Sequence, residues 1–334
     1  MSTDATGVTL THSDNTFDMF IATMAEMPEV GANAIEGYIP LFDYLTRKNL
    51  IKMKGSIGPY IPVVIMDKEN PTIRWISGYD DANSTPADVL SEGKAQYGHL
   101  TGRIVTNREE QVKNASPQQL IDLVEKKHDQ LKIGLRKELN AGIMSSDEAD
   151  GRKITGLGRI MDPTATLHGL APAKYDYWKP TQAFKTGTTK FSLATERGAG
   201  LRKLFRKQTT VAAGTAPDVV LMGEDLWDAH MNFVESKMQV SVGEVDKVSP
   251  SMMGDVMIEV NGRTFIYSEE IGAKEAWSLN FRDALELRAH KGTWFHQTPW
   301  KDITSKVQTI AQDNLTYLSL FCKNRRALGK IEFQ

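Results

Sequence analysis

The sequence predicts an α+β fold in which one long helix stands between an extended N-terminal part and a sheet-rich remainder. Three observations carry this reading. Residues 116–141 hold a single apolar stripe on a 3.6-residue period. Residues 59–106 alternate as strands, with too little apolar content to hold a core of their own. From residue 217 onward short strands, helices and turns follow one another, with an Asn-Gly hairpin among them.

The composition is that of a globular chain: of 334 residues, 40% are hydrophobic and 25% charged. That length supports a large core, or two subdomains sharing one. No apolar run reaches the roughly 18 residues of a membrane span, and no membrane association is expected. The N-terminus, MSTDATGVTLTHSDNTF, lacks the basic and apolar regions of a secretory leader. A single cysteine, Cys322, has no internal partner for a disulfide, which fits a reducing compartment. A net charge of −2 argues against a chain whose main work is gripping polyanions.

The long helix is the clearest element. Ser116 sits at the N-cap, Pro117 at the first helical position, and Gln119 completes an S-x-x-Q capping box. Leu120, Val124, His128, Leu131, Leu135 and Leu139 then share one face, with Glu125, Lys126, Asp129, Lys132, Lys137 and Glu138 on the others. At 1.5 Å per residue such a helix is roughly 37 Å long, a spine and not a lid. On its apolar stripe His128 reads as a hydrogen-bonded core histidine.

Before the spine, residues 1–16 are polar, and Phe17–Met27 is apolar enough to dock on a surface. Ile35–Ile51 carries Leu41, Phe42, Leu45, Leu50 and Ile51 on a helical period that Pro40 interrupts or starts. We read this whole stretch as an arm packing along its own or a neighbouring subunit. PYIPVVIM (59–66) and TIRWISGY (72–79) read as two strands, DDANSTPADV as a polar connection, and GHLTGRIVT (98–106) as a further strand. Asp80 and Asp81 are adjacent on an extended chain, so they point to opposite sides and do not converge as a carboxylate pair. They read as a solvated loop.

After the spine, Gly156-Leu157-Gly158-Arg159 begins like a dinucleotide fingerprint. Met161 replaces its third glycine and no strand precedes it, so we read a backbone turn. HGLAPAKYDYWKP (168–180) reads as a surface segment pinned by Tyr175, Tyr177 and Trp178. Ser192–Lys207 is a basic helix with Arg197, Arg202, Lys203, Arg206 and Lys207 around Leu201, Leu204 and Phe205. Without a second basic element, it reads as a solvated face or a subunit contact. PDVVLM (217–222) is a buried strand, and GEDLWDAHMNFVESKM is a helix with acids in its first turn.

Asn261-Gly262 joins two alternating strands over 255–267, with Val256, Ile258 and Val260 on one face and Met257 and Glu259 on the other. Leu285, Leu287 and Ala289 alternate as another strand. Leu318, Leu320 and Cys322 alternate with Tyr317, Ser319 and Phe321, which makes Cys322 a small buried apolar residue. A turn through Asn324-Arg325-Arg326 leads to a last strand with Ile331 and Phe333.

No constellation for catalysis is present in the sequence. None of the 7 histidines stands in H-E-x-x-H or at zinc-ligand spacing. There is no phosphate-cradling G-x-x-x-x-G-K-[ST] and no G-x-S-x-G elbow. Catalytic, cofactor and metal sites are therefore all expected to be absent.

In its order of elements the chain resembles the major capsid proteins of tailed bacteriophages, the Hong Kong 97-type fold. The stretches that carry the likeness are the hairpin region 59–106, the spine helix 116–141, the ITGLGRI turn and the YDYWKP segment. Further on they are PDVVLMGEDLWDAHMNFVESKM, MIEVNGRTFIYSEEIG, WSLNFRDALELRAHKGTWF and NLTYLSLFCKNRRALGKIEF, so the resemblance runs from about Ile35 to the end.

The resemblance implies an N-terminal arm (1–58), an extended E-loop hairpin (59–106), a peripheral domain (107–180 and 301–334) built on the spine helix, and an axial domain (181–300). It implies a structural, non-enzymatic role: self-assembly into hexamers and pentamers of an icosahedral head enclosing double-stranded DNA without sequence-specific binding. The near-neutral charge suits a shell that must contain DNA and then release it. Expected partners are further copies of the chain, a separate scaffolding protein, a portal and decoration proteins. The expected location is the virion, after assembly in the host cytoplasm. The residues before the hairpin are too few for a built-in scaffolding domain. Arg74, Trp75, Asp80 and Asp81 are candidates for contacts between subunits. Lys68, Asn70 and Lys94 lie in the hairpin region, and no isopeptide pair is assigned among them; they read as solvated. The alternatives are an encapsulin-like shell around a cargo enzyme, a soluble α+β enzyme with a scattered site, and a nucleic-acid-binding module using the helix around Arg202.

Overall fold

The computed structural model describes residues 39–55, 58–66, 72–73, 75, 77–78, 90–107, 117–211, 216–237, 257–260, 262–303 and 309–334. Outside them lie Ser116 of the expected capping box, the Phe17–Met27 segment, Lys68, Asn70, Val256 and Asn261. The chain divides into two compact units. One holds the described residues within 99–140 and 290–317, the other those within 40–98, 141–289 and 318–334.

In the second unit, helix α1 (Pro40–Arg47) starts at Pro40, where the missing N–H costs nothing, and buries Leu41, Phe42, Tyr44 and Leu45. The helical period expected to continue through Leu50 and Ile51 does not. Asn49 turns to φ 53, and Ile51 opens strand β1 (Ile51–Lys54). Strand β2 (Ile61–Met66) pairs antiparallel with β3 (Leu90–Ala95), Ile61 opposite Ala95 and Met66 opposite Leu90. The expected second strand at 72–79 is not β2's partner, and none of its described residues is in a strand. The partner is a stretch of mixed polarity, LSEGKA, which the sequence reading passed over.

The first unit is organised on β4 (Gly98–Asn107), which follows the expected GHLTGRIVT, and on the spine helix α2 (Pro117–Met144). Gly102 lets β4 lie close to α2, for a Cβ there would stand 2.5 Å from Leu131 Cδ1. Strand β4, with β11 (His296–Gln297) and β12 (Lys301–Asp302), pairs with β13 (Thr309–Cys322). Arg103 grips Asp313 with both prongs, Nε to Oδ1 at 2.5 Å and Nη2 to Oδ2 at 3.0 Å. On the spine, Leu135 and Leu139 are buried as the stripe predicts. His128 is only half-buried, edge-on to Trp300 at 6.4 Å, and its pKa is lowered, first by burial and then by Lys132. The helix runs three residues past the expected end at residue 141, because the stripe continues through the buried Ile143. Ser145 then caps it, its hydroxyl donating to the Gly142 carbonyl at 2.9 Å.

Back in the second unit, Gly156–Arg159 is not a loose turn. Residues Leu157–Met161 form a short helix, α3, that buries Leu157, Ile160 and Met161. Gly156 is required there, since a Cβ would run into the Ser145 carbonyl. Next comes a six-stranded sheet in the order β5 (Thr181–Gln182), β14 (Gly329–Glu332), β9 (Glu275–Leu279), β6 (Val219–Met222), β8 (Arg263–Tyr267), β7 (Met257–Val260). The basic helix α4 (Leu193–Val211) lies on it, burying Leu201, Leu204 and Gln208. Helix α5 (Glu224–Lys237) follows β6 directly, the strand-then-helix step read from the sequence. All four residues of β6 are buried, and β6 runs parallel to β8. The β7–β8 turn passes through Gly262 at φ 72. Leu204, Val220, Met222, Leu226, Phe265 and Ile331 share the core of this layer. Finally β10 (Leu285–His290) pairs with the end of β13, Leu285 opposite Cys322, and β1 flanks β10. Here the alternation misleads about exposure. Ser319 and Phe321 are as buried as Leu318, Leu320 and Cys322, because both faces of this stretch are covered.

Candidate functional site

The β2–β3 hairpin is two-faced by construction. Ile61, Val63 and Ile65 point inward and are buried; Pro62, Val64 and Met66 point outward. On the outward face Met66 lies opposite Leu90, with Val64 beside them. These three apolar side chains are 71%, 63% and 58% exposed for Met66, Leu90 and Val64 respectively. Each exposed CH₂-sized group left in water forgoes roughly 0.8 kcal/mol. A row of three on one short sheet therefore marks a surface that gains by being covered.

What fixes the inward face is a tight turn at Leu167–Leu170. His168 (φ 55) and Gly169 (φ 79) occupy both left-handed central positions, and Leu167 and Leu170 exchange backbone hydrogen bonds of 3.1 and 2.9 Å. The turn presents the His168 carbonyl to the Lys94 N–H at 2.9 Å. Gly93 lies against the same turn; a Cβ there would stand 2.8 Å from that carbonyl and 2.9 Å from Leu170 Cδ1. A cleft of ≈ 420 Å³ opens beside this junction, lined among others by Glu92, Lys94, Gln96, Glu148 and His168.

His168, Glu148 and Lys94 of the cleft are each engaged by neighbouring residues. His168 is 3% exposed, and its Nε2 accepts a hydrogen bond from the Cys322 N–H at 3.2 Å, so Nε2 carries no proton. Burial, and then the nearby Arg325, push its pKa down to about 4. Glu148 pairs with Arg159 at 3.3 Å, and Lys94 lies over the Tyr60 ring at 4.8 Å. Burial pushes the Cys322 thiol up to about 12, so no thiolate nucleophile forms. Among the described residues no three His, Cys, Asp or Glu side chains come together to hold a metal ion.

Two buried polar centres hold this region. Arg325, fully buried, sends all its guanidinium donors to backbone carbonyls. Nε reaches Ile160 at 2.9 Å, Nη1 reaches Ala165 at 2.9 Å and Trp178 at 3.1 Å, and Nη2 reaches Arg159 at 3.2 Å and Asp162. Burial lowers its pKa to about 10, which leaves it charged at neutral pH. It ties down 159–178, so the expected surface segment 168–180 is core at both ends: His168, Leu170 and Trp178 are buried. Glu286 is the second centre, 3% exposed between Lys52 at 3.2 Å, Arg288 at 2.7 Å and Lys323. Burial alone raises its pKa, but hydrogen bonds from Lys323, Arg288 and Lys52 outweigh it and hold the carboxyl at about 2.

Of the four residues singled out for subunit contacts, Trp75 is fully exposed, with Ile73 beside it at 81% exposure. Arg74, Asp80 and Asp81 lie outside the described residues. The sequence reading missed the row Val64, Met66 and Leu90. Its signal was present in IPVVIM, apolar at nearly every position, but only the pairing with LSEGKA turns one of its faces outward. It also missed Arg325 and Glu286 as organising charges, since a buried ion cannot be told from a solvated one by spacing. The charges of α4 are partly used within the subunit. Lys203 Nζ donates to the Phe184 and Lys185 carbonyls at 2.6 and 3.0 Å, and Lys207 Nζ to Gln182 at 3.1 Å.

No protein-family model and no curated protein sequence matches the chain. Solved structures do match, over nearly its whole length. The capsid subunit of cyanophage A-1(L) superposes with a TM-score of 0.66 at 14% identity, covering 91% of this chain and 95% of that one. The capsid of Myoviridae phage XM1 matches at 0.53 and 14%, covering 93% and 100%. The SrpI encapsulin of Synechococcus elongatus PCC 7942 matches at 0.51 and 10%, covering 91% and 92%. The chain therefore has the Hong Kong 97-type α+β fold.

Proposed function

We propose that this chain is a structural shell protein, the major capsid protein of a tailed bacteriophage, and that it has no catalytic role. The observation that carries the reading is the end-to-end match of fold to a phage capsid subunit, 91% of this chain on 95% of that one. The hairpin supports it. Its inner face is locked to the His168 turn, while its outer face offers Val64, Met66 and Leu90 to a partner. In this reading 1–58 is the arm, 59–106 the E-loop, 107–180 with 301–334 the peripheral domain and 181–300 the axial domain. Arg74, Trp75, Asp80 and Asp81, which fall between the two hairpin strands in the sequence, are proposed as contacts between subunits. The copies close into hexamers and pentamers of a head around double-stranded DNA, with a separate scaffolding protein, a portal and decoration proteins as partners. The product is the virion shell, assembled in the host cytoplasm.

Size-exclusion chromatography with negative-stain electron microscopy tests the reading. Hollow shells, tubes, or hexamer- and pentamer-sized rings are expected. An encapsulin-like compartment is the second reading, because an encapsulin shares the fold at TM-score 0.51. Shells recovered from infected cells separate the two: nucleic acid inside supports the phage head, and a protein cargo the compartment.

A further inference from the structure

Residues 181–211 hold seven lysines and arginines against one carboxylate, Glu196. Most of these cations are used inside the subunit. Lys185 takes Glu196 at 2.5 Å, Lys190 takes Glu332, and Arg197 lies over the Phe233 ring at 5.1 Å. Lys203 and Lys207 donate to backbone carbonyls. Arg202 and Arg206 are left over. Both are exposed and one helical turn apart, with Arg206 Nε turned back to the Arg202 carbonyl at 3.4 Å. Among the described residues no carboxylate pairs with either.

In the sequence this pair has no second basic element beside it. The fold supplies one. Arg263 opens β8 and lays its guanidinium over the ring of Phe205 at 4.6 Å; on α4, Phe205 is the i, i+3 neighbour of Arg202. The Arg263 Nε is buried with no hydrogen-bond partner, and among the described residues no carboxylate pairs with this arginine either. Stacking covers the flat face of a guanidinium and leaves the Nη donors at its edge, a geometry that suits phosphate oxygens. The nearest acidic groups lie elsewhere on the sheet. Strands β6 and β8 run parallel with Met222 opposite Tyr267, and Glu224, Asp225 and Asp228 follow β6 while Glu269 and Glu270 follow β8. Arg263 stands at the other end of β8, roughly 13 Å along the strand from Tyr267. Glu259 of β7 is opposite Thr264, so it lies on the other face of the sheet from Arg263.

We propose that Arg202, Arg206 and Arg263 form one phosphate-contacting patch through which the subunit touches the backbone of double-stranded DNA. This rests on the shell reading above and names the surface within it that meets the contents. Three arginines with no carboxylate of their own gain from a polyanion what the paired lysines of the same segment already have inside the subunit. Each neutralised phosphate releases condensed counterions, so a patch of three gives a weak contact that salt reverses and that does not depend on base sequence. A chain of net charge −2 is suited to many such weak contacts per shell, not to one tight grip. The carboxylates of a neighbouring copy are the competing occupant, and the test separates them.

The test measures binding of a short, fluorescently labelled, mixed-sequence DNA duplex to the unassembled full chain across a series of low salt concentrations. Wild type is compared with R202Q/R206Q, with R263Q, and with a control in which Lys54, Lys137 and Lys301, all exposed, are changed to glutamine. Thermal melts check that each variant folds; the exposed pair keeps the test decisive if loss of the Phe205 stack unfolds R263Q. Wild type is expected to bind with a log–log salt slope of about −3, and each patch arginine removed to flatten it by about 1. The control is expected to keep the wild-type slope. Wild type that does not bind the duplex at low salt overturns the inference, as does a control that loses as much as the patch variants. So do patch variants that bind like wild type; if these also need a higher concentration to assemble, the patch belongs to a contact between copies. The two failures are separable: absence of shells by electron microscopy defeats the shell reading, whereas shells built from subunits whose patch is indifferent to the duplex defeat only this inference.

Discussion

Glu286 and His168 set how the subunit responds to acid, and each sign follows from its direction of shift. Glu286 is held at about 2, below the ordinary carboxylate value near 4.3. Its contribution is complete above that ordinary value and lost as pH falls through the folded one. His168, at about 4, lies below the ordinary imidazole value near 6.5, so the folded state resists its protonation. Its contribution is complete above about 6.5 and fades as pH falls toward 4. Melting temperature against pH is therefore expected to fall in two stages, one between about pH 6.5 and 4 and another below about 4. Glu286→Gln leaves three cations without their shared carboxylate; a loss of about 3 kcal/mol near neutral pH and a flatter acid limb are expected in urea titrations. Arg325→Met strands five carbonyls and should cost about 3 kcal/mol or more by the same measurement. None of these three residues was legible as important in the sequence. A buried charge and a solvated one look alike in a string of letters, and burial here depends on segments up to 234 positions apart, as in the Lys52–Glu286 contact.

At the scale of elements, legibility followed locality. The spine helix, the β6–α5 step, the Asn-Gly hairpin and the last strands were all readable, because each is specified by period or turn chemistry within its own stretch. The hairpin was only half readable. IPVVIM declares a strand, but LSEGKA owes its strand conformation to β2 opposite and to the His168 turn beside it, not to its own propensity. The 168–180 segment misled for a related reason: aromatic and proline-rich composition suits a surface loop until Arg325 fastens its carbonyls. Gly93→Ala tests the hairpin junction. With a Cβ at 2.8 Å from the His168 carbonyl, the hairpin must lift or the turn must yield. A loss of about 1–3 kcal/mol is expected, with faster hydrogen exchange confined to 90–95 and 167–170.

At the scale of the whole molecule, the fold match and the hairpin's exposed apolar row say the same thing by different routes. The row has no purpose in an isolated subunit, so replacing Val64, Met66 and Leu90 by serine should leave subunit stability within about 0.5 kcal/mol. The same triple change should weaken assembly, read as a shift from large particles to free subunits on size-exclusion chromatography. A subunit that melts at a much lower temperature would place the row in a fold-stabilising role instead. The most direct single measurement is negative-stain electron microscopy of the purified wild-type chain, alone and with the proposed scaffolding protein. Closed shells, tubes or capsomer-sized rings are expected. A chain that stays a monomer or dimer under both conditions would contradict the capsid role.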